Sequence, residues 1–278
     1  MKQILIAEDD RTTRLRLQGV LKSAGYAVTA TADGHAALKR LAKNHADLLL
    51  TDIWMPKMNG LELLAHLREQ PSPPRAIVMT SDNTPGTLLR AVREQAYQYV
   101  NKPVDPEELV EIVQDALAEH PAAPPIEVIS GRPEWVELLV PCELSVTERI
   151  AEFMRQLKSD LPENLREQIG QAFRELLINA VEWGGHLDPN QKVRISCMRT
   201  PRMVLYRIAD PGTGFRFENL KHAAVSDPPE RPWQHVGVRE DMGMRPGGFG
   251  LLMVRSLVDE LIFNEAQNDV VFVKYLQN

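Results

Sequence analysis

The chain has 278 residues, 44% of them hydrophobic and 25% charged, with a formal net charge of −6. That length fits two ordinary domains better than one, and the composition excludes a disordered chain. The acidic balance and the absence of a Lys/Arg run disfavour direct nucleic-acid binding.

No apolar stretch is long enough to cross a bilayer. The first residues do not read as a signal peptide, because Glu8-Asp9-Asp10 interrupts the apolar run after Met1-Lys2-Gln3. Cys142 and Cys197 stand in no metal or redox spacing and read as buried thiols in a reducing compartment. The expectation is a cytoplasmic protein without a membrane partner.

In chain order, Ile4–Ala7, Leu48–Leu50, Ala76–Met79 and Tyr97–Val100 read as strands alternating with helical patterns. Leu109, Ile112, Val113, Ala116 and Leu117 make one helix face, started by Asp105 as N-cap, Pro106 and Glu108. This alternation predicts a doubly wound parallel sheet over residues 1–118. The prolines of Glu119-His120-Pro121-Ala122-Ala123-Pro124-Pro125 predict a linker over 119–133.

From 134 to 278 the order changes. A strand (Trp135–Val140) precedes one helix burying Ile150, Phe153, Met154 and Leu157, and another running from Pro162 to Trp183. Strands follow at Val193–Cys197 and Val204–Ile208, then an irregular stretch, a helix (Leu251–Val258) and a hairpin, Leu261–Phe263 with Val270–Val273. Helices grouped apart from strands predict an α+β layer with helices on one face.

Polar groups collect where the first four strands end: Glu8-Asp9-Asp10, Asp52, Thr80-Ser81 and Lys102-Pro103. The carboxyl ends of parallel strands form a ligand crevice, and converging carboxylates suit Mg2+. A carboxylate beside that metal can attack a phosphoryl group whose charge the metal and a lysine neutralise. These residues, with Asp52 to Gly60, Met79-Thr80-Ser81 and Tyr99 to Pro103, resemble the CheY-type response-regulator receiver, a flavodoxin-like fold, over the first 120 or so residues. The resemblance implies Asp52 as phosphoacceptor, with Glu8, Asp9, Asp52 and the Trp54 carbonyl around Mg2+. It further implies that Thr80 and Lys102 contact the phosphoryl group, that Tyr99 moves as the switch, and that Lys102-Pro103 is cis.

Three features mark the second half. Glu175 and Asn179 lie one turn apart beside the stripe Ile169, Phe173, Leu176 and Ala180. An Asn oxygen can bind Mg2+, and the Glu could take a proton from an attacking hydroxyl; singly, such a pair also occurs as solvated surface. The strand through Ala209 runs into Asp210-Pro211-Gly212-Thr213-Gly214-Phe215, where a carboxylate can accept from a purine amino group and glycines let backbone approach a flat ring. Arg245-Pro246-Gly247-Gly248-Phe249-Gly250 enters a helix, whose free N–H groups favour phosphate. The intervening stretch of roughly thirty residues reads as a lid, with His235 as loop surface.

Together these three features resemble the GHKL (Bergerat) ATP-binding fold, an α+β two-layer domain, and within it the anti-sigma-factor serine kinases of the RsbW and SpoIIAB types. The resemblance implies that Asn179 binds Mg2+, Glu175 is the candidate base, Asp210 reads adenine, and Gly212, Gly214, Gly248 and Gly250 shape the ATP pocket. Glu182-Trp183-Gly184-Gly185-His186 departs from the endings usual in those kinases, and the lid is longer than theirs. No two-helix dimerisation hairpin precedes this half, and His120 lies in no such helix.

The function implied is a response regulator phosphorylated by a sensor histidine kinase. Asp52 phosphorylation would control a serine/threonine kinase output acting on a STAS-type anti-anti-sigma factor or a sigma factor. The alternative is an ATP-dependent binding module that sequesters its partner without catalysis. Homodimerisation through either domain is also implied.

Overall fold

A computed structural model of the chain describes residues 1–82, 84–118, 125–132, 134–158, 160–216, 219–221, 223–228, 230–243 and 248–276. They divide into two units, Met1–Ala122 and Ala123–Asn278.

In the first unit, strands β1 (Gln3–Ala7), β2 (Ala27–Thr31), β3 (Leu48–Asp52), β4 (Arg75–Thr80) and β5 (Gln98–Asn101) form a parallel sheet in the order β2-β1-β3-β4-β5. Helices α1 (Arg11–Ser23), α2 (Gly34–Leu41), α3 (Gly60–Arg68), α4 (Pro85–Arg93) and α5 (Pro106–Leu117) alternate with them. This is the doubly wound, flavodoxin-like order. The central strands are apolar on both faces because helices cover both, and Ile4, Ile6, Leu48, Leu50, Ile77 and Met79 form a core with Leu109 and Val113 of α5.

Helices α1, α2, α3 and α5 start where a side chain accepts from a free N–H group. Asp10 accepts from Thr13 N at 2.6 Å, Asn59 and Glu62 form a capping box, and Asp105 accepts from Glu107 N at 2.8 Å ahead of Pro106. These caps fix the turns that carry the strand-end carboxylates.

In the second unit, β6 (Glu127–Arg132), β7 (Trp135–Pro141), β8 (Lys192–Arg199), β9 (Met203–Ala209), β10 (Glu260–Phe263) and β11 (Asp269–Tyr275) form an antiparallel sheet in the order β10-β11-β9-β8-β7-β6. Helices α6 (Leu144–Gln156), α7 (Glu163–Asn179), α8 (Gln234–Asp241) and α9 (Gly250–Leu257) complete it, with a π-helical turn at Ala180–Gly184 and a 3-10 turn at Ala224–Ser226. Register puts Val136, Cys197, Tyr206 and Phe272 side by side, and Leu138, Ile195, Ile208 and Val270 in the next row. That buried face receives Phe173 of α7, whose ring lies 4.9 Å from Tyr206, itself 5.0 Å from Phe272.

Two expectations need correction. The span 119–133 is not all linker, because β6 occupies Glu127–Arg132 and pairs with β7. As an edge strand it hydrogen-bonds on one side only, so it carries alternating half-buried residues instead of an apolar run. Residues 119–124, His120 among them, and 133 lie outside the described residues. The stretch after Phe215 is not all irregular either, since it contains the 3-10 turn and α8. Both cysteines are free and buried. Among the described residues no helix is long and apolar enough to cross a membrane.

Candidate functional site

In the first unit the strand ends bring one carboxylate oxygen each from Glu8, Asp9 and Asp52 within 4.8 Å of one another. Lys102, just past β5, places Nζ 2.6 Å from Glu8 Oε2 and 3.0 Å from Asp52 Oδ2. Glu8 is 1% exposed, and burial pushes its carboxyl up against the opposing pull of the Lys102 ammonium. Arg14 of α1 donates to the Glu8 and Asp9 carbonyls at 2.5 and 2.9 Å, holding the turn. Ile53 N donates to Asp52 Oδ1 at 2.7 Å. Gly60 approaches so closely that a Cβ there would lie 2.1 Å from the Asp52 carbonyl oxygen.

Thr80 is fully buried at the end of β4, and its hydroxyl accepts from Asp82 N at 3.2 Å. Tyr99 is buried on the neighbouring strand, and its hydroxyl donates to the Asp82 carbonyl. Burial, with the Asp82 and Asp52 charges, pushes its phenol up. Trp54 stands two residues beyond Asp52 with an exposed ring, and Lys102-Pro103 is cis. Three convergent oxygens of this kind fit Mg2+, a hard cation with oxygen ligands. Sequence reasoning missed Asp82, which ties Tyr99 to the turn after Thr80.

The second unit encloses a cavity of about 650 Å3 lined by Glu175, Asn179, Asp210, Gly212, Gly214, Gly248 and Gly250. Asn179 ends α7, one turn after Glu175. The first residue of α9 meets them: a Cβ on Gly250 would lie 2.6 Å from Glu175 Oε2 and 3.9 Å from Asn179 Nδ2. The positive end of α9 thus faces a carboxylate and an amide. Arg245, Pro246 and Gly247 of this glycine loop lie outside the described residues.

At the other end of the cavity, Asp210 follows β9 and accepts from Gly212 N at 2.8 Å. Burial pushes its carboxyl up. Asn268 donates from Nδ2 to the Gly212 carbonyl at 2.8 Å and accepts from Asp210 N at 2.9 Å. Gly214 has φ +84°, and a Cβ there would lie 1.7 Å from the Ala266 carbonyl oxygen, so only glycine fits. The turn after β9 is therefore locked against the β10–β11 loop.

The π-helical turn, one residue per turn wider than α, sets Gly184 against Asp210, where a Cβ would lie 2.2 Å from Cγ. Trp183 and His186 follow into the cavity wall. Their role was invisible in sequence because it depends on this widened turn.

His235 is also a correction. It is not loop surface: on α8 it is 0% exposed, its Nδ1 pairs with Asp227, and its ring stands edge-on to Phe249 at 4.5 Å between centroids. The carboxylate supplies the partner that lets an imidazole be buried.

Two family models match the chain: the response regulator receiver domain over residues 4–114, and the histidine kinase-like ATPase domain over residues 142–274. The two-component response regulator ORR11 of Oryza sativa subsp. indica is 31% identical over 117 residues, covering 41% of this chain and 80% of the rice protein. The chain belongs to the response regulators. This response regulator is also 30% identical over 204 residues to the DNA-binding transcriptional regulator NtrC of Azospirillum brasilense, covering 73% of the chain and 42% of NtrC. It thus spans less than half the length of that relative. Among solved structures, a putative response regulator from Chloroflexus aurantiacus J-10-fl matches with 32% identity and a TM-score of 0.41, over 42% of this chain and 98% of that one. The chain accordingly carries a receiver and a histidine kinase-like ATPase domain.

Proposed function

We propose that this response regulator takes a phosphoryl group on Asp52 from a sensor histidine kinase, and that this controls an ATP-dependent serine/threonine kinase output of the anti-sigma type. The observation that carries the output reading is the single cavity that collects Glu175, Asn179, Asp210 and four glycines from three separated sequence motifs. Its volume suits a nucleotide-sized ligand. Asp210 would accept from the adenine amino group. The N-terminus of α9 and Gly248 would receive the phosphates. Asn179 would hold Mg2+, and Glu175, beside it, would take the proton of an attacking hydroxyl.

In the receiver, Glu8, Asp9, Asp52 and the Trp54 carbonyl would hold Mg2+, which when bound neutralises charge on the transferring phosphoryl oxygens. Asp52 is oriented by Ile53 N and Lys102. Lys102 stands ready to pair with a phosphoryl oxygen, and Thr80 to receive one as a hydrogen-bond donor. Tyr99, held through Asp82, reports that change away from the crevice.

The partner is a STAS-type anti-anti-sigma factor, phosphorylated on serine, or a sigma factor held by binding. The test is transfer of the γ-phosphoryl of ATP to a purified STAS-domain protein, lost in Asn179→Ala and altered when beryllofluoride occupies Asp52. ATP-dependent partner binding with no transfer would instead make the output a sequestering module.

A further inference from the structure

The hairpin loop between β10 and β11 closes the Asp210 end of the cavity, and its polar groups are largely paired. Asn264 Oδ1 accepts from Asn268 N and Asp269 N at 3.1 and 3.3 Å, and Asn264 Nδ2 donates to Asn268 Oδ1 at 2.8 Å. Asn268 Nδ2 donates to the Gly212 carbonyl, the Asn268 carbonyl accepts from Asp210 N, and the Ala266 carbonyl accepts from Phe215 N at 3.1 Å. The Asp269 carboxylate pairs with Arg207 at 2.6 Å. Gln267 stands between Ala266 and Asn268, so it is held at the same end as Asp210 and lines the cavity wall with it. Buried polar atoms are normally hydrogen-bonded. Among the described residues, Gln267 Oε1 is the one side-chain atom of the cavity wall that is buried without a hydrogen-bond partner.

The backbone there is also unusual. Gln267 has φ +63°, and its N–H donates to the Asn264 carbonyl at 3.1 Å, closing the turn. Glycine or asparagine is the ordinary occupant of a left-handed turn position, because other side chains are strained there. A residue strained in this way points to a role for its side chain. An amide oxygen desolvated without a partner also costs stability. The partner it calls for is a hydrogen-bond donor that arrives with the ligand. Asp210, at the same end, is an acceptor too. Two acceptors select a base edge with two N–H bonds. The adenine of ATP carries both on its 6-amino group, whereas hypoxanthine has a 6-oxo group and a single N–H on that edge.

We infer that Gln267 is a specificity-determining residue of this cavity, its Oε1 accepting one hydrogen of the adenine 6-amino group while Asp210 accepts the other. This deepens, and rests on, the reading of the cavity as an ATP site. It makes the preference for a 6-aminopurine a property of the β10–β11 loop as well as of the turn after β9. The hydrogen bonds that fasten the loop hold the amide in place before the base arrives, so little ordering remains to be done on binding.

The test uses the full chain with Mg2+ and ATP, ITP or GTP by calorimetry, and without nucleotide by thermal unfolding. Wild type should bind ATP at least about 10-fold more tightly than ITP, because a 6-oxo group leaves both acceptors unpaired. Gln267→Met keeps the length of the side chain and removes the amide. It should weaken ATP roughly 3- to 10-fold, the range for one neutral hydrogen bond, and leave ITP little changed, so the preference for ATP falls. Without nucleotide the same variant should melt no lower than wild type, since an unpaired buried oxygen is gone; a merely structural glutamine would give a lower melting temperature and equal losses for both nucleotides. Gln267→Glu, which keeps an acceptor at the same reach, should retain more of the preference than Gln267→Met. A preference for ATP over ITP in Gln267→Met within about twofold of wild type would overturn the inference and leave the ATP reading standing. No ATP binding by wild type, or GTP bound in its place, would overturn both.

Discussion

Replacing Gly250 by alanine separates the fold of the second unit from its chemistry. The added Cβ would lie 2.6 Å from Glu175 Oε2, with Glu175 Cδ at 3.7 Å and Asn179 Nδ2 at 3.9 Å as the next neighbours. The obstructing atom is the far end of a flexible side chain, not backbone. Glu175 can clear it by moving its carboxylate about 0.8 Å toward an ordinary contact. A strained χ angle costs about 0.5–1.5 kcal/mol, while alanine in place of glycine in a helix gains about 0.5–1 kcal/mol. Net stability should therefore stay within about 1 kcal/mol of wild type by urea denaturation. Function should not stay: a displaced carboxylate beside Asn179, the proposed metal ligand, should weaken ATP about 10-fold in Mg2+ and leave it little changed in EDTA. Transfer to a protein substrate should fall about 100-fold, the cost of a misplacement near 1 Å. Unchanged Mg-ATP affinity together with unchanged transfer would refute the placement of Glu175 in the site. A large loss of stability would refute the claim that its side chain is free to yield.

Asp210→Asn should raise the melting temperature of the nucleotide-free protein at neutral pH. Burial raises the Asp210 carboxyl pKa in the folded state, so its stabilising contribution is present below the ordinary carboxylate range and lost as pH rises through the folded value. The advantage of the asparagine should shrink toward zero below about pH 4, while its ATP affinity falls roughly 10-fold with the loss of a charge-assisted acceptor. Asp52→Asn should abolish labelling by acetyl phosphate and shift stability by no more than about 1 kcal/mol, since Lys102 keeps its contact with Glu8. Phe173→Ala removes a fully buried ring packed at a tilt against Tyr206 and should cost about 3–5 kcal/mol by denaturant titration.

The elements legible in sequence are those whose burial is apolar and regular. Leu48–Leu50 read as a strand because β3 is covered on both faces, and Ile169, Phe173 and Leu176 read as a helix because α7 presents one stripe to the sheet. The elements missed lack that signal. β2 is short and half-buried, β6 is an edge strand after prolines, and α8 buries a histidine and an arginine in place of aliphatic residues. The convergence of Asp210 with Gly184 was hidden for another reason: it depends on the π-helical turn, which tertiary packing sets and periodicity does not report.

Buried ionisable side chains separate the two kinds of cost in this protein. Among the described residues the buried acidic and basic ones are Glu8, Asp33, Asp52, Lys158, His235 and Arg239. Asp33 has local structural work, capping α2 through Ala36 N at 2.7 Å and pairing with Lys57 at 2.7 Å. Lys158 lies 5.8 Å from the centroid of the buried Tyr206 ring, where a cation is stabilised by the π face. His235 has its account in the Asp227 carboxylate beside its ring. Glu8 and Asp52 are different, because they share one lysine at the strand ends of the receiver. Carboxylates crowded together and desolvated are stabilised when a cation arrives. The binding energy of a metal there is therefore partly spent on relieving these groups, and the turn that carries them is the segment whose stability should respond to it. Hydrogen exchange should find that response to Mg2+ at the turn after β1, and not at Asp33 or Lys158. Protection spread evenly over both units would defeat this account.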